Sequence, residues 1–396
     1  MKIKEIEIKG LFGIFDHKIP INTDEHITII HGPNGFGKTV MLEIINGFFN
    51  GNYHKTWVIP FSELTIRFDN TGILSIVKNT PEDIKDIEIQ LGYTFGKPFK
   101  FKPFAKPKEG LGLLSQTIDT LTWLNEIKKS LSVRFIETQR LFKIQDIRPK
   151  NLIEEYLKPS QPEMLSVVVE YSKKLEASIQ EKLTEYASLA QELDRTFPKR
   201  LAENNSPNIT IDELKTKLLS LELKRLMLVL AGIFDTKEKI DMPEIDDQNK
   251  NVLSVYAEDM EKKLAIFDDI QAKIELFQEI INKRFLYKTM KTHKSFGFRF
   301  LSANGKRLLP DDLSSGEQNE LVITYELLFE VSPDKDTLVL IDEPEISLHI
   351  MWQNEFLNDL KKITKLANFD VLIATHSPDI INDYWDLTIA LEGPEI

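Results

Sequence analysis

A glycine-rich segment near the N-terminus has the residue types and spacing needed to bind phosphate. It matches the pattern Gly-x-x-x-x-Gly-Lys-Ser/Thr and consists of Gly32, Pro33, Asn34, Gly35, Phe36, Gly37, Lys38 and Thr39. Glycines let the backbone wrap around phosphate oxygens with N–H groups pointing inward, and a helix N-terminus adds positive potential. Lys38 would reach the β- and γ-phosphates of a nucleotide, and the Thr39 hydroxyl would ligate Mg²⁺. The competing interpretation is a glycine-rich turn that binds nothing.

Two acidic residues near the other end of the chain could supply the remaining chemistry of phosphate hydrolysis. Asp342 and Glu343 follow residues 337–341, a largely apolar run typical of a strand that is buried on both faces. In open α/β sheets, ligands bind at the carboxyl ends of such strands. Asp342 would hold Mg²⁺, and Glu343 would polarise the attacking water. An isolated Asp-Glu pair would more simply be a solvated turn.

The elements that must position these residues can be predicted from the local pattern. Residues 27–30 form an apolar run typical of a strand, and residues 40–45 read as the start of a helix. The strand, loop and helix that a phosphate loop requires are therefore present in order. Because most of the chain separates Lys38 from Asp342, the nucleotide fold must be split by a large insertion.

Three further features occur in the order that builds a composite ATP site. Residues 313–318 read Leu-Ser-Ser-Gly-Glu-Gln, Gln139 ends a predicted strand, and His376 follows the buried strand of residues 369–374. Gln139 and His376 taken singly would more simply be structural. With all motifs in this order, the chain resembles ABC-type ATPases of the SMC, RecF-like and OLD group.

The resemblance implies a role for each motif. Members of this group close as dimers around ATP, and the signature segment of one subunit contacts the γ-phosphate held by the other. The corresponding residues here are Ser314, Ser315, Gly316, Glu317 and Gln318. Gln139 would contact Mg²⁺ and the attacking water, and His376 would sense the γ-phosphate. The resemblance thus implies an ATPase that uses ATP and Mg²⁺ and forms a homodimer or higher homo-oligomer.

The same resemblance implies the architecture. We expect an α/β fold: a split ABC-type P-loop nucleotide-binding domain with an N-terminal antiparallel β subdomain and a helical insertion. Residues 1–150 would form the N-terminal half, residues 151–290 the helical insertion, and residues 291–396 the C-terminal half. Alternation of apolar and polar residues at 3–8 and 64–68 predicts strands of the β subdomain.

Apolar residues recur at helical spacing through residues 152–287. The first run would end at Pro198, and Thr210 with Glu213 forms a capping-box pattern ahead of a leucine-rich second run. A third run places Met260, Phe267, Ile274 and Ile281 seven residues apart. These stripes would mainly form helical core, with the alternative that part of them docks another subunit.

Composition narrows the functional classes. The chain has 396 residues, a formal net charge of −12 and no cysteine. The absence of cysteine excludes disulfides, thiolate metal sites and a Cys-x-x-Cys zinc hook. The N-terminus reads as a strand and not as a signal peptide, and no apolar run is long enough to span a membrane. We therefore expect a cytoplasmic protein without a membrane partner.

The segment after the acidic pair narrows the resemblance further. Residues 345–349 read Glu-Ile-Ser-Leu-His, a Glu-x-x-Leu-His form similar to OLD-type and related phage-defence ATPases and unlike transporter ABC domains. OLD-type nucleases continue into a metal-binding TOPRIM domain, for which we see no room. By size and layout the chain resembles the stand-alone ATPase subunits of the antiphage systems Septu and PARIS. This predicts a separate nuclease effector as partner.

Two other functions compete with this one. The chain could be a RecF-like ATPase of DNA repair that acts on nucleic acid, or a homodimeric ATPase that acts on protein partners. DNA contact is favoured by residues 97–108, which hold five lysines and three phenylalanines without an acidic residue. Lysines could neutralise phosphates while aromatic rings stack on bases. The alternative is a solvated loop anchored by its phenylalanines.

Overall fold

The structure is a computed structural model that describes residues 1–79, 88–101, 121–136, 142–145, 163–203, 209–235, 244–309, 312–332, 334–346 and 348–393. The chain divides into two compact units, residues 1–140 with 326–396 and residues 141–325. The first unit is therefore assembled from both ends of the chain. Its halves are separated in sequence by the whole of the second unit.

The described residues form strands near both ends of the chain and a run of helices in its middle. The described strands are β1 (Ile3–Leu11), β2 (Phe15–Pro20), β3 (Ile27–His31), β4 (Glu63–Phe68), β5 (Ile73–Asn79), β6 (Glu88–Tyr93), β7 (Gly96–Phe101), β8 (Leu131–Ile136), β9 (Phe142–Gln145), β10 (Glu163–Ser166), β11 (Lys288–His293), β12 (Gly297–Ser302), β13 (Arg307–Leu308), β14 (Asp336–Asp342), β15 (Asp370–Thr375) and β16 (Thr388–Ala390). The described α-helices are α1 (Lys38–Phe49), α2 (Tyr53–Val58), α3 (Thr122–Ser130), α4 (Val167–Glu203), α5 (Ile211–Leu230), α6 (Lys250–Ala265), α7 (Asp268–Arg284), α8 (Ser315–Phe329), α9 (Ile350–Ala367) and α10 (Pro378–Ile381).

The first unit contains a five-stranded parallel sheet in the order β16-β3-β15-β14-β8. Its central strands are apolar along their length because both faces are buried; every residue of β15 is buried. The register aligns the carboxyl ends, pairing Asp342 with Ala374, Thr375 with His31, and Ile341 with Ile136. Strands β3, β8, β14 and β15 therefore end at the same edge of the sheet.

A second sheet of the first unit is antiparallel, with strand order β2-β1-β4-β5-β6-β7. Alternate residues of β2 are buried, as expected of a strand with one face on the core. The α/β fold with an antiparallel β subdomain, a parallel sheet and a helical insertion, as inferred from the sequence, is therefore confirmed.

The lysine-rich segment begins as a strand and not as a loop. Residues 97–101 lie in β7 at the edge of the antiparallel sheet, and residues 102–108 are outside the described residues. Pro98 is tolerated there because an edge strand has an unpaired side and because the β6–β7 register shifts between Leu91 and Tyr93. Lys97 and Lys100 are exposed.

The second unit is mainly helical, with a three-stranded sheet β11-β12-β13 and a pair β9-β10. The capping box at α5 is present as predicted, because the Thr210 hydroxyl and the Glu213 carboxylate each accept from the other's backbone N–H. A turn at residues 304–305 joins β12 to β13, with Gly305 at φ +80°.

Two helix boundaries differ from the sequence-based prediction. Helix α4 continues through Pro198, which removes one backbone donor. Its last turn is held by Arg200, which donates to the Leu193 carbonyl at 2.8 Å and pairs with Asp259. The third apolar run is divided between α6 and α7, because the helix breaks at residues 266–267 and restarts at Asp268.

Helix α5 carries two rows of leucines, one buried and one exposed. Its buried face is formed by Leu214, Leu218, Leu221 and Leu228, as the helical spacing predicted. A second row, each member more than half exposed, consists of Leu219, Leu223, Leu226 and Leu230. We call these four residues the leucine row.

None of the described helices is both long and apolar enough to cross a membrane.

Candidate functional site

The glycine-rich segment, here called the phosphate loop (residues 32–39), connects β3 to α1. Gly35 and Gly37 have φ angles of +89° and +82°, which side chains rarely adopt. A Cβ added to Gly37 would also lie 2.5 Å from Cδ2 of Leu11. Helix α1 begins at Lys38, so the unpaired N–H groups of its first turn adjoin the loop. This geometry suits an anion.

Two buried side chains, Lys38 within the phosphate loop and His17 on β2, bind carbonyl groups of the loop. The ammonium of buried Lys38 donates to the carbonyls of Gly32 at 2.7 Å and Pro33 at 3.1 Å. The Nε2 atom of buried His17 lies 2.9 Å from the carbonyl oxygen of Phe36, so Nε2 must carry the proton. His17 thereby holds the middle of the loop on the antiparallel sheet.

Thr39 and Asp342 meet although they come from opposite ends of the chain. The Thr39 hydroxyl donates to Oδ1 of Asp342 at 3.0 Å, and Asp342 is only 6% exposed. Burial raises the pKa of Asp342 from 3.8 to about 6, against the hydrogen bond from Thr39 and with help from the charges of Glu343, Glu345 and Glu43. A cation at this position would relieve the crowding of negative charge.

Glu343 and His376 lie side by side where β14 and β15 end. Nδ1 of His376 is 3.4 Å from Oε1 of Glu343 and 3.2 Å from Oε1 of Glu345. Glu343 has a φ of +40°, a strained conformation for a residue with a side chain, and its N–H donates to Ala374 at 2.8 Å. Strained backbone of this kind is concentrated at functional sites.

Gln139 lies outside the described residues. The strand before it, β8, ends at Ile136 beside Ile341 of β14. That end belongs to the same sheet edge as the phosphate loop, Asp342 and His376, because all the strand pairs are parallel.

The signature segment begins helix α8 and belongs to the second unit. Ser314 and Glu317 form a capping box, with the Ser314 N–H donating to Glu317 at 2.8 Å. Partial burial opposes ionisation of Glu317, yet hydrogen bonds from Lys288 and Ser314 hold its pKa below the ordinary value. The Gln318 amide donates to the Leu313 carbonyl at 2.9 Å.

Ser315 and Gly316 lie in the first turn of helix α8. Ser315 is exposed, and a Cβ added to Gly316 would meet no atom within 4 Å. Within the described residues, the space beside the Gly316 backbone is therefore open.

The oxygen donors of the first unit fit a nucleotide-bound Mg²⁺. Within the described part of the chain, no group of three or more His, Asp or Glu residues is placed to hold a metal ion. Mg²⁺ commonly takes one or two protein oxygens together with water and substrate phosphates. The Thr39 hydroxyl and the Asp342 carboxylate, next to a loop that suits phosphate, meet that description.

Sequence reasoning missed two residues that organise the site. His17 could have been noticed as a polar residue at an inward position of β2, but its contact with the phosphate loop has no local signal. Glu345 was noted only as part of a motif variant. In the structure its carboxylate accepts from the Thr375 hydroxyl at 2.7 Å and from the His376 N–H at 3.1 Å.

Comparison with known proteins found a family and several relatives. A family model described as an AAA ATPase domain matches residues 1–381. The spermidine/putrescine import ATP-binding protein PotA of Mycoplasma genitalium is 23% identical over 429 residues, covering 94% of this chain and 72% of that protein. The molybdenum import ATP-binding protein ModC of Escherichia coli is 35% identical over 88 residues, covering 22% of this chain and 24% of that protein.

Two solved structures are also similar. The Smc head domain with an extended coiled coil, bound to the C-terminal domain of ScpA and derived from Pyrococcus furiosus, aligns with a TM-score of 0.36 and 14% identity over 98% of this chain and 92% of that chain. The SmcHead bound to the C-winged helix domain of ScpA gives a TM-score of 0.40 and 12% identity over 98% and 94%.

Proposed function

Because the chain belongs to the AAA ATPase domain family, we propose that it binds ATP at the phosphate loop and hydrolyses it at the sheet edge formed by β3, β14 and β15. The observation that carries this proposal is the Thr39–Asp342 hydrogen bond of 3.0 Å, with Glu343 next to Asp342 and His376 3.4 Å from Glu343. Phosphate-binding, metal-binding and proton-accepting groups are thus adjacent.

Each residue has a task in this proposal. Lys38 and the N–H groups of the phosphate loop bind the phosphates, and Thr39 with Asp342 holds Mg²⁺. Bound Mg²⁺ would neutralise charge on the phosphate oxygens. Glu343 orients the attacking water and accepts its proton, while His376 contacts the γ-phosphate. Gln139, which follows β8, would approach the metal and the water.

The direct test compares wild type with Glu343→Gln and Lys38→Ala. Removal of a general base lowers the rate by about 10² to 10⁴, whereas the binding groups remain in Glu343→Gln. We expect Glu343→Gln to retain and trap ATP and Lys38→Ala to lose affinity. Equal turnover of wild type and Glu343→Gln would reject the assignment of Glu343.

The active site would be completed in trans by a second copy. Exposed Ser315 and the open space at Gly316 support this, because they leave a helix N-terminus accessible to another subunit's phosphate. Mixing Lys38→Ala chains with Ser315→Arg chains gives dimers in which one site is intact. Partial recovery of ATPase activity is expected; an inactive mixed dimer, shown to have formed, would exclude the shared site.

We place a second contact between copies on the leucine row. Its spacing of four, three and four residues matches the seam of a two-stranded coiled coil, which identical helices can form with each other. A stable interface buries about 800 Å² per partner, so four leucines would add to the nucleotide-dependent dimer without replacing it.

In a Glu343→Gln background with ATP, Leu223→Glu with Leu226→Glu should lower the oligomer mass in light scattering. Ser220→Glu, on another face of α5, is the control, and an unchanged mass in the double variant would refute this contact.

We further propose that the ATPase is the switch or scaffold subunit of a two-component antiphage system whose nuclease is a separate protein. Its support is the Glu-x-x-Leu-His form of residues 345–349. The purified chain, incubated with Mg²⁺ or Mn²⁺, ATP and DNA or RNA, should not cut nucleic acid. Co-expression with a neighbouring nuclease gene should reduce phage plaques, and Glu343→Gln should abolish that protection. Cleavage by the rigorously purified chain would overturn the two-component proposal.

A second candidate function is that of a RecF-like DNA repair ATPase. It is favoured by exposed Lys97 and Lys100 on the edge strand β7, with exposed Phe95 close by in sequence. Direct DNA binding that weakens steeply with salt would support it, because each phosphate contact releases counterions. A replication or repair gene next to this one would point the same way.

A further inference from the structure

Glu345 is a buried carboxylate that connects the two loops carrying Glu343 and His376. It lies in the turn Pro344–Ile346 after β14, and its side chain is 7% exposed. Its Oε1 atom accepts hydrogen bonds from the Thr375 hydroxyl at 2.7 Å and the His376 N–H at 3.1 Å. Nδ1 of His376 lies 3.2 Å from the same oxygen. One oxygen therefore makes all these contacts.

The other carboxylate oxygen of Glu345, Oε2, contrasts with Oε1. Oε2 is buried and has no hydrogen-bond partner within the described residues. A buried polar atom without a partner is unfavourable, so its presence needs an explanation. A neutral glutamine could keep the bonds to Oε1 and would avoid a buried charge. The negative charge itself is therefore the feature that needs an explanation.

His376 provides that explanation. Its Nδ1 atom faces two carboxylate oxygens, one from Glu343 at 3.4 Å and one from Glu345 at 3.2 Å. A lone pair on Nδ1 would face negative charge, so Nδ1 must carry a proton. The Nε2 atom is then the ring nitrogen available to a bound ligand, and His376 is about half exposed.

We propose that Glu345 is a positioning residue of the hydrolytic site, whose charge holds the imidazole of His376 beside Glu343 with the proton on Nδ1. This inference rests on the proposed ATPase function and adds a residue that acts through His376. A purely structural Glu345 would need only its hydrogen bonds, whereas a positioning Glu345 needs its charge.

Glu345→Gln separates these two roles. The amide oxygen can take the place of Oε1, and the amide nitrogen can take the place of unpartnered Oε2, so the fold should be retained. We expect an unchanged KM for ATP and a kcat lower by about 10- to 100-fold, as for other partners that orient a histidine. Thr375→Val is the matched control, because it removes a hydrogen bond to Oε1 and keeps the charge; its kcat should change by less than about threefold.

The second measurement does not depend on hydrolysis. Imidazole ¹⁵N shifts of nucleotide-free protein, with His376 assigned by substitution, should show Nδ1 protonated in wild type and less so in Glu345→Gln. A wild-type His376 with its proton only on Nε2 would overturn the proposal, as would a Glu345→Gln protein whose kcat equals that of wild type. If wild type itself fails to hydrolyse ATP, the ATPase proposal fails and the ¹⁵N shifts still decide the role of Glu345.

Discussion

Replacing Asp342 by asparagine should stabilise the protein when nucleotide and divalent cations are removed. Asparagine keeps an oxygen for the Thr39 hydroxyl and removes a charge from a residue that is 6% exposed. Burial raises the pKa of Asp342 from 3.8 to about 6. Since each pKa unit corresponds to about 1.4 kcal/mol, ionised Asp342 lowers the unfolding free energy by up to about 3 kcal/mol above pH 6.

The sign of the pH dependence follows from this shift. Between pH 3.8 and about 6 the folded state binds more protons than the unfolded state, so wild type loses stability as the pH rises through this window. The advantage of Asp342→Asn should therefore be up to about 3 kcal/mol at pH 7.5 and about 1 kcal/mol at pH 4.5. For a unit of this size, that corresponds to a Tm increase of about 2–4 °C per kcal/mol.

The assay is thermal unfolding in EDTA at both pH values. Asp370→Asn is the matched control, because buried Asp370 lies 2.7 Å from His26 and 3.5 Å from Lys2 and its charge is favourable. This control should lose stability at pH 7.5. Addition of ATP and Mg²⁺ should stabilise wild type and should have little effect on Asp342→Asn. An unchanged or lower Tm of Asp342→Asn at pH 7.5 in EDTA would refute the reasoning from buried charge.

Three further predictions test other parts of the first unit. Gly37→Ala should lose ATP affinity and about 1–3 kcal/mol of stability, because the φ of +82° and the 2.5 Å distance to Leu11 both oppose a Cβ atom. Calorimetric titration with ATP measures the affinity, and chemical denaturation measures the stability. Wild-type affinity in Gly37→Ala would contradict this prediction. Lys78→Met should cost about 1–3 kcal/mol, because the buried Nζ atom donates to backbone carbonyls of Thr56, Trp57 and Ile59. Burial lowers the pKa of Lys78 from 10.5 to about 7, so this group makes wild type more stable as the pH rises from 7 to 10.5. The difference in unfolding free energy between wild type and Lys78→Met, measured by denaturation, should therefore increase over that range. If residues 97–108 bind nucleic acid, replacing their five lysines by glutamine should flatten the salt dependence of binding, and an unchanged salt slope would leave the segment structural.

The local sequence determined the elements whose structure depends on residues adjacent in the chain. The strand, glycine-rich turn and helix around Lys38 follow from apolar runs and from the backbone freedom of glycine. The apolar run before Asp342 forms a strand buried on both faces, and the capping box at Thr210 forms as its residue types predict. The order of the motifs also indicated a split fold, since Lys38 and Asp342 had to belong to one site.

Tertiary structure decided what depends on partners distant in sequence. Helix α4 continues through Pro198, and Arg200 in its last turn pairs with Asp259. The edge position of β7 accommodates Pro98. Neither neighbour can be predicted from the local sequence. The contact of His17 with the Phe36 carbonyl and the contact of Glu345 with His376 likewise cannot be predicted from the local sequence. Burial, hydrogen-bond partners and pKa are set by strand register and packing, which bring residues hundreds of positions apart within about 3 Å. Sequence therefore supplied the chemical groups, and the parallel register of β3, β14 and β15 brought them together at one edge of the sheet.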